Sequence, residues 1–236
     1  VGGLGTSQMG AISVAFPLGQ VVVGLGLLFG NGGASYISRL LGRGDRETAD
    51  RAASTALYSS IFVGAAVILC AVIFLKPLLK CLGATDSILP YAVTYAGIYV
   101  VSSIFNVFNV TMNNIVTSEG AARTTMCVLL TGAALNMVLD PVFIFVFHMG
   151  VRGAALATIL SQMLSALWIL AFLTGRRTIL KLRPSAMKLD AGRLLRIVGL
   201  GMSGFTMSIT NSLVQIMYNS MLQKFGGDLY VGIMTV

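Results

Sequence analysis

The chain has 236 residues, of which 56% are hydrophobic and only 10% charged, and its mean hydropathy is +0.87. Soluble domains carry about 25% charged residues, so this composition excludes a water-soluble globule and indicates a polytopic protein whose solvent is lipid. The net charge of +8 does not indicate a nucleic-acid partner, because the basic residues stand in short loops between long uncharged runs, without a basic face or interleaved aromatics.

A membrane-crossing helix needs roughly 20 mostly apolar residues. In chain order such runs cover 11–37, 52–75, 89–117, 124–147, 151–173 and 198–222, and a further apolar run begins near Leu229. The predicted fold class is therefore all-α. The first run carries Pro17, where a kink is expected, and the small-residue stretch "GLGLLFGNGGAS" from Gly24. Gly26 and Gly30, one turn apart, would let a neighbouring backbone approach closely. Cys70, Cys81 and Cys127 are widely spaced, show no metal-ligand or CxxC spacing, and read as small apolar filler. No signal peptide is visible, and the chain begins at Val1 rather than Met.

Orientation follows from the basic residues. Arg39, Arg43, Arg46, Arg51, Arg123, Arg176, Arg177, Lys181, Arg183, Lys188, Arg193 and Arg196 fall in or beside the connections 38–51, 118–123 and 174–197. The alternate connections hold only Lys76, Lys80, Arg152 and Lys224. The positive-inside rule makes the first set cytoplasmic. The domains expected are an N-terminal lobe over 1–173, a cytoplasmic connection over 174–197 and the start of a second lobe over 198–236.

The ends of the chain resemble each other. "GTSQMGAISV" at 5–14 aligns without gaps to "GDLYVGIMTV" at 227–236, with Gly5/Gly227, Gly10/Gly232 and Val14/Val236 identical. If the offset is a repeat, each unit holds an even number of helices and the copies are parallel, related by an axis along the membrane normal. A helix precedes the second copy and none precedes the first, so a first helix is expected upstream of Val1.

Polar groups collect on three consecutive spans. Asn136 and Asp140 lie one turn apart in "LNMVLDPVFIF", and Pro141 frees the carbonyl of Met137 and is expected to kink the helix. The preceding span carries Asn106, Asn109 and Asn113 on one stripe; the following one carries Thr158, Gln162 and Ser165. Such stripes read either as interhelical glue, worth about 0.6 kcal/mol per residue, or as cavity walls. A buried Asp costs about 2.5–3.5 kcal/mol even on lenient scales, which marks it as functional. Asp140 also lies near the outer boundary, on the order of 10 Å below Phe147 at about 1.5 Å per residue. In an apolar cavity its carboxyl can hold a proton when no cation is present, and Asn136 could hydrogen-bond it or help hold Na⁺. His148 reads as a solvated loop residue and Glu119 as part of a cytoplasmic turn. Met137 and Met163 read as core filler or as a plastic pocket lining. No catalytic triad, Walker sequence or metal-binding motif is present, so neither an enzyme nor an ATP-driven pump is expected.

The stretches "GNGGASYISRLLGRGDRETA" (30–49), "NNIVTSEGAART" (113–124) and "LNMVLDPVFIFVFHMGVRGAALATILSQ" (135–162) resemble the multidrug and toxic compound extrusion (MATE) transporters. The resemblance covers essentially the whole chain. It implies a two-lobe bundle of twelve helices around a V-shaped cavity, of which this chain spans helices 2 to 7 and the start of helix 8. It further implies export of organic cations or other drugs against H⁺ or Na⁺, with no cofactor, in the inner membrane of a prokaryote, by a protein that is monomeric when complete. Asn136, Asp140 and Thr158 match the family's ion-coupling positions, with Na⁺ at Asp140 and Asn136 as one option. The α-helical stripe 106–113, Gln162 and Met163 fall to the substrate cavity. The family's first helix commonly adds an Asp, expected about one helical turn before Val1; its repeat counterpart here is the uncharged Asn219. A flippase for a lipid-linked substrate of the same superfamily and a non-transporting membrane scaffold are the competing readings. The near absence of Lys and Arg from the spans speaks against a phosphate-bearing substrate.

Overall fold

The computed structural model describes residues 6–82, 84, 88–175, 178–180 and 190–233. These form α1 (Thr6–Gly42), α2 (Arg46–Cys81), α3 (Leu89–Ser118), α4 (Ala122–Pro141), α5 (Val151–Thr174) and α6 (Ala191–Ile233), with no strand among the described residues. All six helices are long and apolar enough to cross a membrane. The all-α, multi-pass architecture expected from hydropathy is the one observed.

Local chemistry fixes the helix ends. The Asp45 carboxylate accepts the Thr48 N–H at 3.1 Å and opens α2, supplying one of the partners that a helix N-terminus lacks. Within α2, Phe74 leaves the helical region (φ −109°, ψ 15°) ahead of Pro77. The proline has no N–H and its ring crowds the carbonyl four residues back, so α2 bends there; the spans read from hydropathy did not anticipate this. Pro17 lies inside α1, which runs through it as one helix. The Ser13 carbonyl that Pro17 leaves without its usual donor is taken up by Asn219 Nδ2 of α6 at 3.2 Å. At Pro141 the expected kink takes the form of a change in winding: α4 passes into a π-helical turn, Val142–Val146, closed by Phe147 N–H donating to the Val142 carbonyl at 3.0 Å.

Helix α6 departs from expectation at both ends. It begins at Ala191, inside the connection assigned to 174–197, because Asp190 Oδ1 accepts the Gly192 and Arg193 N–H groups at 2.9 and 3.4 Å. It then continues unbroken to Ile233, so the apolar run near Leu229 is the tail of this helix and not a separate one. The proposed repeat is affected as well. Its first copy opens α1 and its second continues α6, while Gly5 and Val236 lie outside the described residues.

Helix α1 is the pivot of the packing. As the small-residue stripe predicts, α3 lies against Gly26 and Gly30. A methyl group at Gly30 would sit 3.1 Å from the Thr111 Cα, and Thr111 Oγ1 donates to the Gly26 carbonyl at 3.2 Å. On its other side α1 runs antiparallel to α6. Ser208 donates to the Gln20 carbonyl at 2.7 Å and Ser212 to that of Pro17 at 3.0 Å. Nearer the cytoplasm, a methyl on Gly32 would run into the Ile197 carbonyl, and one on Gly201 into that of Leu28. The fully buried side chains form two groups, one around Ile37, Met112, Ile115 and Ile169 towards the cytoplasm and one around Val14, Leu79, Ile88 and Val100 towards the outside. Phe62, Leu69, Val72 and Ile73 of α2 and Leu129, Leu130 and Met137 of α4 are exposed, as lipid-facing positions should be.

Glu119, expected in a cytoplasmic turn, is there but is buried. Its carboxylate accepts the Thr178 hydroxyl at 2.8 and 3.1 Å and the N–H groups of Ile179 and Leu180 at 3.0 and 3.1 Å. The α3–α4 turn thereby holds the chain that leaves α5. Glu119→Gln replaces one of these acceptor oxygens by a donor and is expected to destabilise the protein by about 1.5–3 kcal/mol. Gly201→Ala forces α1 and α6 apart and is expected to cost about 1–3 kcal/mol. Unfolding of each variant in detergent, beside the parent protein, measures both.

Candidate ion and substrate cavity

With one face of α3 seated on α1, its asparagine stripe faces α4 and α5. Asn106, Asn109 and Asn113 are all buried. Asn109 Nδ2 donates to Gln162 of α5 twice, to Oε1 at 2.7 Å and to the backbone carbonyl at 2.8 Å. Asn113 Nδ2 donates back to the Asn109 carbonyl at 2.8 Å, and the Asn113 carbonyl accepts the Thr117 hydroxyl at 2.8 Å. The Thr158 hydroxyl is occupied by the Ala154 carbonyl of its own helix at 3.0 Å. On the facing helices, Gly132 of α4 admits the Ser165 side chain of α5, where any larger residue would collide.

Between these helices lies a cavity of about 280 Å³, walled by Asn109 and Asn113 of α3, Asn136 of α4, and Thr158, Ser161 and Gln162 of α5. Five of the expected site residues, Asn109, Asn113, Asn136, Thr158 and Gln162, thus meet around one space. Three do not line it. Met163 follows Gln162 by about 100° of helix rotation and is 36% exposed on the outer surface. Asn106 lies one turn towards the outside from Asn109. Asp140 lies one turn beyond Asn136 in the same direction, half-buried, with Tyr95 of α3 close enough to feel its charge. The Tyr95 ring stacks on Tyr99 at a centroid distance of 5.9 Å.

The hydrogen bonding of this region is unbalanced. Asn106 Oδ1, Asn109 Oδ1, Asn113 Oδ1, Ser161 Oγ and Asp140 Oδ1 are buried with no hydrogen-bond partner among the described residues. Buried polar atoms are nearly always satisfied, so a group of unpartnered oxygens on α3, α4 and α5 is a place suited to a cation or to a donor-bearing guest. The donors are amide, hydroxyl and carboxylate oxygens, and no group of three or more His, Cys, Asp or Glu occurs among the described residues. That chemistry suits a hard monovalent cation or a proton better than a transition metal. Sequence reading missed Ser161, although it falls three residues after Thr158 on the same stripe. It also missed Gly132, one turn before Asn136, whose missing side chain brings α4 and α5 together.

Comparison with known proteins agrees with this architecture. Residues 1–142 match the family model described as MatE. The multidrug export protein MepA of Staphylococcus saprophyticus is 31% identical over 227 residues, which is 96% of this chain and 50% of MepA. The chain therefore spans about half the length of the curated relatives it matches. A solved inward-facing multidrug resistance MATE family transporter of the MOP superfamily is 30% identical, with a TM-score of 0.95 over 100% of this chain and 54% of its own. An outward-facing structure of such a transporter, also 30% identical, covers 100% of this chain and 52% of its own with a TM-score of 0.88. Family model, relatives and fold agree with the motifs around Asp140, and the chain belongs to the MATE family.

Proposed function

We propose that this chain supplies the ion-coupling half of a secondary active exporter of drugs, chiefly organic cations, working by antiport with H⁺ or Na⁺. The observation that carries this reading is the set of buried, unpartnered oxygens at the cavity and at Asp140. In a low-dielectric surrounding, a carboxylate with an unsatisfied oxygen is stabilised by taking up a proton or a cation. In this reading Asp140 is the group that takes up the ion, while Asn136, Asn109 and Asn113 offer their oxygens to a guest in the cavity one turn away. Thr158 and Gln162 shape the wall on α5. No Lys or Arg lines the cavity, which fits a cationic or neutral guest and counts against a flippase for phosphate-bearing lipids. MepA's description as a multidrug export protein supports the substrate class.

Coupling requires that the ion bind the two access states with different affinity. Asp140 and Asn136 stand next to the π-helical turn at Val142–Val146, and such turns let a helix rewind locally at low cost. Loading the carboxylate neutralises it and removes the penalty of closing lipid or protein around it.

In the full-length protein, Asp140→Asn is expected to lower drug efflux by roughly tenfold or more and to abolish its dependence on the ion gradient. The check is dye efflux from vesicles in which an inward proton gradient or an inward Na⁺ gradient is imposed separately. Unchanged gradient-driven efflux in Asp140→Asn would sink the reading. Asn136→Leu, on the cavity wall, should weaken efflux in the same assay. Met163→Leu, a volume-conserving swap off the wall, should leave it within about twofold.

A further inference from the structure

A second concavity, which shares no lining residue with the polar cavity, lies at the cytoplasmic end of the α1–α6 contact. It is open to solvent, has a volume of about 420 Å³ and is walled by Tyr36, Arg39, Leu40 and Arg43 at the end of α1 and by Arg196 and Leu200 of α6. Arg39 and Arg43 stand one turn apart, and the Arg43 N–H still donates to the Arg39 carbonyl at 3.2 Å, so both guanidinium groups issue from one face. Gly199, between Arg196 and Leu200, leaves the space open: a methyl group there would meet no atom within 4 Å.

Three arginines from two helices thus surround one space, and no carboxylate lines it. The ion pairs among the described residues engage Arg51 with Glu47 and Arg193 with Asp190, none of the pocket arginines. The three arginines are exposed, so water and salt moderate their mutual repulsion, and an anion seated between them is attracted by all three. Guanidinium groups present planar forks of donors that match phosphate oxygens, and basic pockets between helices on the cytoplasmic side are where anionic head groups bind. The walls combine those forks with apolar Leu40 and Leu200 and the Tyr36 ring, which suits a phosphate at the membrane surface with hydrocarbon beside it.

We propose that Arg39, Arg43 and Arg196 form a binding site for a phosphate-bearing anion, an inner-leaflet phospholipid head group or a free phosphate, that clamps the cytoplasmic ends of α1 and α6. The two helices are in contact from Ser13 and Asn219 to Gly32 and Ile197, and the anion occupies the concavity at the cytoplasmic end of that contact. The site does not depend on the transport reading, since binding can be measured without any efflux.

The test uses the full-length protein in nanodiscs of phosphatidylcholine, of an equimolar mixture with phosphatidylglycerol, and of phosphatidylcholine with inorganic phosphate replacing chloride at matched ionic strength. The parent protein should melt at a higher temperature with at least one of the two anions. A gain with phosphatidylglycerol assigns the site to lipid and a gain with inorganic phosphate assigns it to the free anion; either supports the proposal. The double variant Arg43→Gln/Arg196→Gln should lose the gain and bind the effective anion on the order of 30-fold more weakly. The charge-matched double variant Arg46→Gln/Arg123→Gln, exposed and outside the pocket, should keep it. Native mass spectrometry of phosphatidylglycerol retained per protein gives a second reading, independent of melting. A gain that survives in Arg43→Gln/Arg196→Gln, or no gain with either anion in the parent protein, overturns the site.

Discussion

The backbone of α1 approaches two neighbours more closely than any side chain would allow. Gly26 and Gly30 admit α3, while Gly32 and its counterpart Gly201 admit α6. Lipid tails are as apolar as leucine, so helices in a bilayer gain little from hiding apolar surface and associate through close van der Waals contact and polar bonds. The contact with α3 has a further result. Once Val110 and Thr111 are seated on α1, the rotation of α3 is fixed, and Asn106, Asn109 and Asn113 can only face α4 and α5. The polar cavity therefore owes its position to a glycine groove on a helix that does not touch it.

Polar groups in this protein follow two regimes. Along α1 and α6 they are saturated: Ser208, Ser212 and Asn219 each find a backbone carbonyl across the interface, and Asn219 takes the one that Pro17 released. Around α3, α4 and α5 they are not, and buried oxygens remain without donors. The first pattern is that of glue and the second that of a site. The distinction separates residues of similar type at similar depth, because it depends on what each side chain touches and not on what it is.

Much of this was legible in the chain. Hydropathy located the spans, the glycine spacing located the close approach, and the asparagine stripe located the α3 wall at Asn109 and Asn113 though not at Asn106. What escaped it depended on contacts distant in sequence. Glu119 looked like a turn residue because its partners, Thr178 to Leu180, lie some 60 positions away. Asp140 was expected beside Asn136, yet a residue one turn along need not share its cavity when the helix changes its winding just beyond. The bend at Phe74 was missed because Pro77 stands near the end of an apolar run, where a span and a kinked helix have the same composition.

The Glu119 clamp has a mechanical consequence. The chain between α5 and α6 would have slack from Gly175 to Ala191 if it were free, but it is fastened at Leu180 to the α3–α4 turn. Covalent geometry alone then limits the distance between Leu180 and Ala191 to about 35–40 Å, at about 3.3–3.6 Å per residue. No rearrangement can carry the start of α6 beyond that radius from the turn where α3 and α4 meet without breaking the Glu119 contacts. A carboxylate whose visible task is to accept three neighbours thus bounds how far α6 can start from the helices that carry the asparagine stripe and Asp140.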